Sequence, residues 1–73
     1  MRELITEQEI EILRAFADNA MRVNQTANDV HYNRKTVYRI LADIYGRTGR
    51  NPLNFWDLKA IFNELETEGE SGR

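Results

Sequence analysis

Four side chains with cationic or hydrogen-bonding chemistry fall close together in the middle of the chain: Arg34, Lys35, Tyr38 and Arg39. Spaced at i, i+1, i+4 and i+5, they share one side of a helix wherever that segment is helical. A guanidinium presents a planar fork of donors that fits a phosphate, or the O6 and N7 of guanine. Each well-made base contact of that kind is worth about 1–3 kcal/mol of discrimination. Arg34 and Arg39 are therefore the first candidates for reading bases, and Lys35 suits a base or a phosphate. Asn33 and Thr36 are short, lie where such a helix would start, and suit the same contacts. Gln25 and Thr26 fall at the start of an earlier short helix, where free amides and the helix dipole attract a phosphate. Arg22, Arg47 and Arg50 fit the role of backbone clamps. The rival reading of the cationic cluster is an ordinary solvated helix face, with Thr26 only capping its helix and Tyr38 only covering a neighbour's stem.

Other chemistries find little to work with. The 73 residues include no cysteine, so disulfide scaffolds and thiolate metal sites are excluded. His31 is the single histidine, which excludes paired-histidine zinc motifs, and it reads as a turn or packing residue. No nucleophile–base set or carboxylate pair stands out, so no enzyme, cofactor, metal or small-molecule ligand is expected. No RNA-binding aromatic strand pattern or GXXG loop is present. No apolar run approaches the ~20 residues of a membrane span, and the first residues lack a signal-peptide core, so a cytoplasmic location with no membrane partner is expected.

The net charge of −2 is unevenly spread. Residues 21–50 carry six cations against Asp29 and Asp43, a net +4, whereas 1–20 and 51–73 are each net −3. An acidic pI of 5.3 argues against a polyanionic partner for the whole chain, but its basic centre reverses that argument locally.

The elements that would position these residues are helical. Apolar residues make up 41% of the chain, enough for one small core. The spacing predicts an all-α bundle of about four helices, over 7–19, 25–31, 34–48 and 55–65. Residues 1–65 form a single domain, and 66–73 form an acidic tail expected to be disordered. Thr6 and Glu9 make a capping box for the first helix, with Ile5 and Ile10 at the staple positions and Ile10, Leu13, Phe16, Ala17 and Ala20 on its apolar face. Asn24 is the expected N-cap of the second helix, and Ala27 and Val30 are its inward residues. Asn33 caps the third helix, Gly49 ends it, and Val37, Ile40, Leu41, Ile44, Tyr45 and Thr48 recur at helical spacing as its inward face. Asn54 and Asp57 mark the start of the fourth, whose stripe of Phe55, Leu58, Ile61, Phe62 and Leu65 packs across the first and third.

A short helix, a tight turn and a longer amphipathic helix with a basic outer face describe a helix-turn-helix. Ala27 supplies the small residue at the crossing, and Val30, Val37 and Ile40 pin the two helices together. Where many such motifs use glycine for a positive φ, the chain has His31 nearby, which tolerates that region better than most residues; the alternative is that the second helix runs on by a residue.

The run Asn24-Gln25-Thr26-Ala27, then Asn33-Arg34-Lys35-Thr36-Val37-Tyr38-Arg39-Ile40-Leu41-Ala42-Asp43-Ile44, then Thr48-Gly49 resembles the C-terminal helix-turn-helix domain of PucR-type transcription regulators, the purine-catabolism and sugar-diacid regulators. That family's pattern is S-x-T-A, H-R-N-T-V-x-Y-R-L-x-x-I, T-G and a fourth helix. The resemblance spans roughly residues 10–65. Arg34, Thr36, Val37, Leu41, Ile44, Thr48 and Gly49 fall in register without a gap. Asn33 stands where the family often has histidine, Lys35 where it often has asparagine, and Arg39-Ile40 replace its Tyr-Arg pair. The resemblance implies sequence-specific DNA binding by a bacterial or phage transcription regulator; the sensor region of the larger regulators has no counterpart here, a departure from the family, and a stand-alone small protein is expected.

Both lines of reasoning lead to one expectation: sequence-specific binding to double-stranded DNA, with the helix over 34–48 in the major groove. One helix reads few base pairs, and many such proteins pair to read half-sites about 34 Å apart, so a homodimer is expected, with Trp56, Phe55 and Phe62 as its candidate seam. The alternative is a protein-interaction adaptor or antirepressor that uses the surface of the helix over 55–65.

Overall fold

The computed structural model describes residues 2–71, and side chains within the last helix as far as Thr67. The elements run α1 (Glu7–Asp18), α2 (Val23–Val30), α3 (Arg34–Thr48) and α4 (Phe55–Ser71), with no strand among the described residues. No helix among these residues is long and apolar enough to cross a membrane.

The capping box at the head of α1 is complete. The Glu9 amide donates to Thr6 Oγ1 at 3.1 Å, and the Thr6 amide donates to Glu9 Oε1 at 2.9 Å. Ile5 and Ile10 are both buried beside it. The inward face of α1 is Ile10, Ile12, Leu13 and Phe16. Ala17, expected inward, is exposed, Ala20 lies past the end of the helix and is exposed as well, and Ile12 is buried instead. Asn19 ends the helix and ties it to α2 by donating from its side-chain amide to Ala15 O and to Asp29 Oδ2. Ala20 and Met21 both take left-handed backbone, at φ 55° and 63°, which turns the chain sharply enough for the Met21 amide to reach Phe16 O at 2.8 Å.

α2 begins one residue before the expected cap at Asn24: Arg22 is the N-cap, and no side chain closes it. Two interactions move the start. Val23 is drawn into the core, and Thr26 sends both its amide and its Oγ1 to Arg22 O, at 3.0 and 2.8 Å. α2 ends at Val30, one residue short of the expected 31, because His31 takes left-handed backbone at φ 61°, the turn alternative rather than a continued helix, and the Tyr32 amide reaches back to Ala27 O at 3.0 Å.

α3 starts at Asn33, whose Oδ1 accepts from the Thr36 amide at 2.7 Å, and ends at Gly49 with φ 75°, a conformation glycine adopts without steric cost. Val37, Leu41 and Ile44 are fully inward, and Ile40 is half-buried. Tyr45, expected in the core, is 50% exposed. The adjacent Ile44 is completely buried and, with Val37 and Leu41, takes the inward side of the helix.

α4 is capped by Asn54, whose Oδ1 accepts from the amides of Trp56 and Asp57. Leu58, Ile61 and Leu65 are buried, but Phe55 is not part of the inward stripe: it is 57% exposed. The helix runs past residue 65 to Ser71, where the sequence reading expects a disordered tail from 66. Each residue added to an anchored helix needs only one further hydrogen bond, so Leu65 in the core supports turns that carry no apolar residue of their own. Residues 72 and 73 lie outside the described residues. The core is one cluster drawn from all four helices, centred on Leu13, Phe16, Val37, Ile44 and Ile61.

Candidate nucleic-acid interface

Val37, Leu41 and Ile44 fasten α3 inward, which turns Arg34, Lys35, Tyr38 and Arg39 outward. All four are exposed, Tyr38 by 46%. Among the described residues no carboxylate lies within ion-pair distance of Arg34, Lys35 or Arg39. This leaves a positive, donor-rich ridge at the N-terminal half of α3.

The ridge is split into two sides. Arg34 and Tyr38 face the start of α2, where with Arg22, Val23, Asn24 and Gln25 they line an open groove of about 330 Å³. The first-turn amides of α2 have no partner within their helix and belong to this groove. Lys35 and Arg39 face the other way, over a shallow groove of about 320 Å³ shared with Asn33 and Thr36. Arg34, Lys35, Tyr38 and Arg39 thus project from the outer side of α3, as their spacing predicts, with Gln25 beside the first groove and Asn33 and Thr36 beside the second. Asn24 joins them although the sequence reading gives it only a capping role. Its signal is its position in the first turn of α2.

Thr26 does not belong to this surface. It has no exposed area, and its hydroxyl donates to Arg22 O. The back-bond to the N-cap carbonyl satisfies the hydroxyl inside the molecule, so it is not offered to a phosphate.

Two of the expected clamps are also engaged elsewhere. Arg47 donates to both carboxylate oxygens of Glu9 and, through Nη1, to Leu4 O at 2.8 Å, while its Nε donates to Asp43 O. The guanidinium holds the Glu9 carboxyl below its ordinary pKa, against a smaller opposing effect of burial, and the Arg47 pKa is raised in turn. Arg50 lies 3.9 Å from Asp57 Oδ1 and 3.6 Å from Glu64 Oε2. Arg22 alone of the three remains at the edge of the ridge. No family model matches the chain, and no curated protein or solved structure is significantly similar to it.

Proposed function

We propose that this chain is a sequence-specific duplex-DNA-binding protein, a small transcription regulator of bacterial or phage type, with α3 seated in the major groove. One observation carries the reading: the cations of the first two turns of α3 are exposed and unpaired on one ridge, beside the open start of α2. The resemblance of residues 10–65 to the PucR-type helix-turn-helix supports the same chemistry. In this reading Lys35 and Arg39 reach base edges, with Asn33 and Thr36 beside them. Arg34 and Arg22, joined by Gln25 and the first amides of α2, hold phosphates and set the register of the helix.

The test is selection of bound duplexes from a random pool with the full chain, followed by titration of the recovered site against salt. A shared site is expected, with affinity falling as salt rises. The two phosphate-holding cations, Arg22 and Arg34, give a log–log slope of about −1.8 per chain. A recovered pool with no common site, or an affinity insensitive to salt, overturns the proposal. The exposure of Phe55 and Trp56 favours a second reading, a protein-contacting adaptor or antirepressor that works through α4. In that case Arg39→Ala leaves activity intact and Trp56→Ala removes it.

A further inference from the structure

The groove on the base-reading side of α3 is lined by Asn33, Lys35, Thr36 and Arg39. What these four can offer a ligand is strongly one-sided. Lys35 and Arg39 are donors only, and both are exposed with no carboxylate in ion-pair distance among the described residues. Asn33 carries an acceptor, but its Oδ1 already takes the Thr36 amide at 2.7 Å and closes the head of the helix. The half-buried Thr36 adds a hydroxyl, which pairs with any base edge and selects none. Asp43, the one carboxylate of α3, stands a turn beyond Arg39 and outside the groove, and its charge acts on Arg47 instead.

A surface that donates and hardly accepts has a defined complement. In the major groove guanine presents two neighbouring acceptors, N7 and O6, whereas thymine presents only O4, adenine sets its N7 beside an N6 donor, and cytosine presents a donor. A base donor placed against Lys35 or Arg39 is left unpaired. The side-chain clasp of adenine takes an amide oxygen and nitrogen together, and the Asn33 oxygen is held on its own helix. Guanine is therefore the base that gives either cation two bonds. Lys35 and Arg39 lie one turn apart, about 6 Å along the helix, which spans roughly two base steps of about 3.4 Å. Both stand on the same side of the ridge, so their targets fall on the same strand.

We infer that α3 recognises two guanines on one strand, adjacent or separated by a single base pair, with Lys35 and Arg39 each donating to the N7 and O6 of one of them, and that Asn33 caps the helix without reading adenine. The inference rests on the DNA-binding reading and narrows its ligand from duplex DNA in general to duplexes that carry this guanine pair.

The experiment takes the site that the full chain selects from a random pool and replaces its purines one at a time by 7-deaza analogues, which lack the N7 acceptor and keep normal pairing. Affinity is followed by fluorescence anisotropy. The site is expected to hold a guanine pair of the stated spacing. Exchanging either G·C pair for A·T weakens binding by about 5- to 150-fold, the equivalent of one bidentate contact. 7-Deazaguanine at either position removes one of the two bonds and weakens binding by a smaller factor, whereas 7-deazaadenine leaves the affinity unchanged. Arg39→Ala abolishes discrimination between guanine and adenine at one position of the pair and Lys35→Ala at the other. Both side chains are exposed, so circular dichroism is expected to report an unchanged fold. A common site without the guanine pair, a loss of affinity on 7-deazaadenine substitution, or alanine variants that weaken binding to all sequences equally overturns the inference and leaves DNA binding standing. A pool with no common site overturns both.

Discussion

The two ends of α3 carry the same residue type to opposite fates. At its start, Arg34 and Arg39 project from the molecule with no carboxylate in reach among the described residues. At its end, Arg47 is locked in a bidentate pair with Glu9, and Arg50, just past the helix, lies between Asp57 and Glu64. The helix itself does not distinguish them. The acidic flanks of the chain fold back against one end only: Glu9 comes from α1, Asp57 and Glu64 from α4. The uneven charge along the sequence thus becomes a spatial separation. Acidic segments neutralise the C-terminal end of α3 and leave its N-terminal half cationic, which is the half a major groove would meet.

The most severe break in this comparison is to reverse the face that holds α3 in place. Val37 has no exposed surface, so Val37→Asp places an unpaired carboxylate in the core. It is expected to cost at least about 4 kcal/mol and to abolish cooperative thermal unfolding followed by circular dichroism. A Val37→Asp chain that still unfolds cooperatively would show the inward face to be misassigned.

A pair of alanine substitutions then separates the two ends. Arg39→Ala is expected to leave the urea midpoint unchanged while lowering discrimination between the selected site and a mutated site by about 1–3 kcal/mol. Arg47→Ala reverses the pattern. It loses no more than about 1 kcal/mol of stability, because the ion pair is part-exposed and screened and the hydrogen bond to Leu4 O is exposed, and it leaves the DNA affinity unchanged. If the two variants behave alike in both assays, the ends of α3 are not functionally distinct.

A subtler measurement uses pH. The Glu9 carboxyl is held below its ordinary pKa, first by its hydrogen bond to Arg47. A carboxylate whose folded-state pKa is depressed contributes stability that is fully present above the unfolded value, about 4.3, and is lost as pH falls through the folded one. Urea midpoints measured downward from about pH 6 should therefore fall in the acid range, and less steeply in Arg47→Ala than in the parent. An identical pH slope in both would remove Arg47 as the cause. The smallest expected effect is that of Arg50→Ala. Its two contacts are long and exposed, and the loss is expected to stay within about 0.5 kcal/mol with DNA affinity unchanged.

Much of the fold is local chemistry and could be read residue by residue. The Thr6–Glu9 box, the Asn33 cap, the left-handed His31 and the Gly49 terminus each depend on neighbours a few positions away. The errors arise where distant parts of the chain decide. Asn24 loses the cap of α2 because burial of Val23 starts the helix earlier. Thr26 is a plausible phosphate contact in one dimension, but it is fully buried with its hydroxyl on Arg22 O. Tyr45 and Phe55 fit the apolar spacing of their helices, yet Ile44 and Leu58 hold the inward positions. At the candidate site, the spacing of Arg34, Lys35, Tyr38 and Arg39 was sufficient to group them. The withdrawal of Arg47 and Arg50 was not legible, because their partners lie 38 residues upstream in one case and up to 14 downstream in the other.

Glu9 closes the first turn of α1 and also grips the last turn of α3. Helix ends usually fray independently, each on its own clock. Here one carboxylate latches two of them, so the opening of either releases the other, and amides at the head of α1 and the foot of α3 should exchange with solvent in step. Gly46 costs that last turn of α3 roughly 1 kcal/mol relative to alanine, and the latch from Glu9 to Arg47 acts on the same turn.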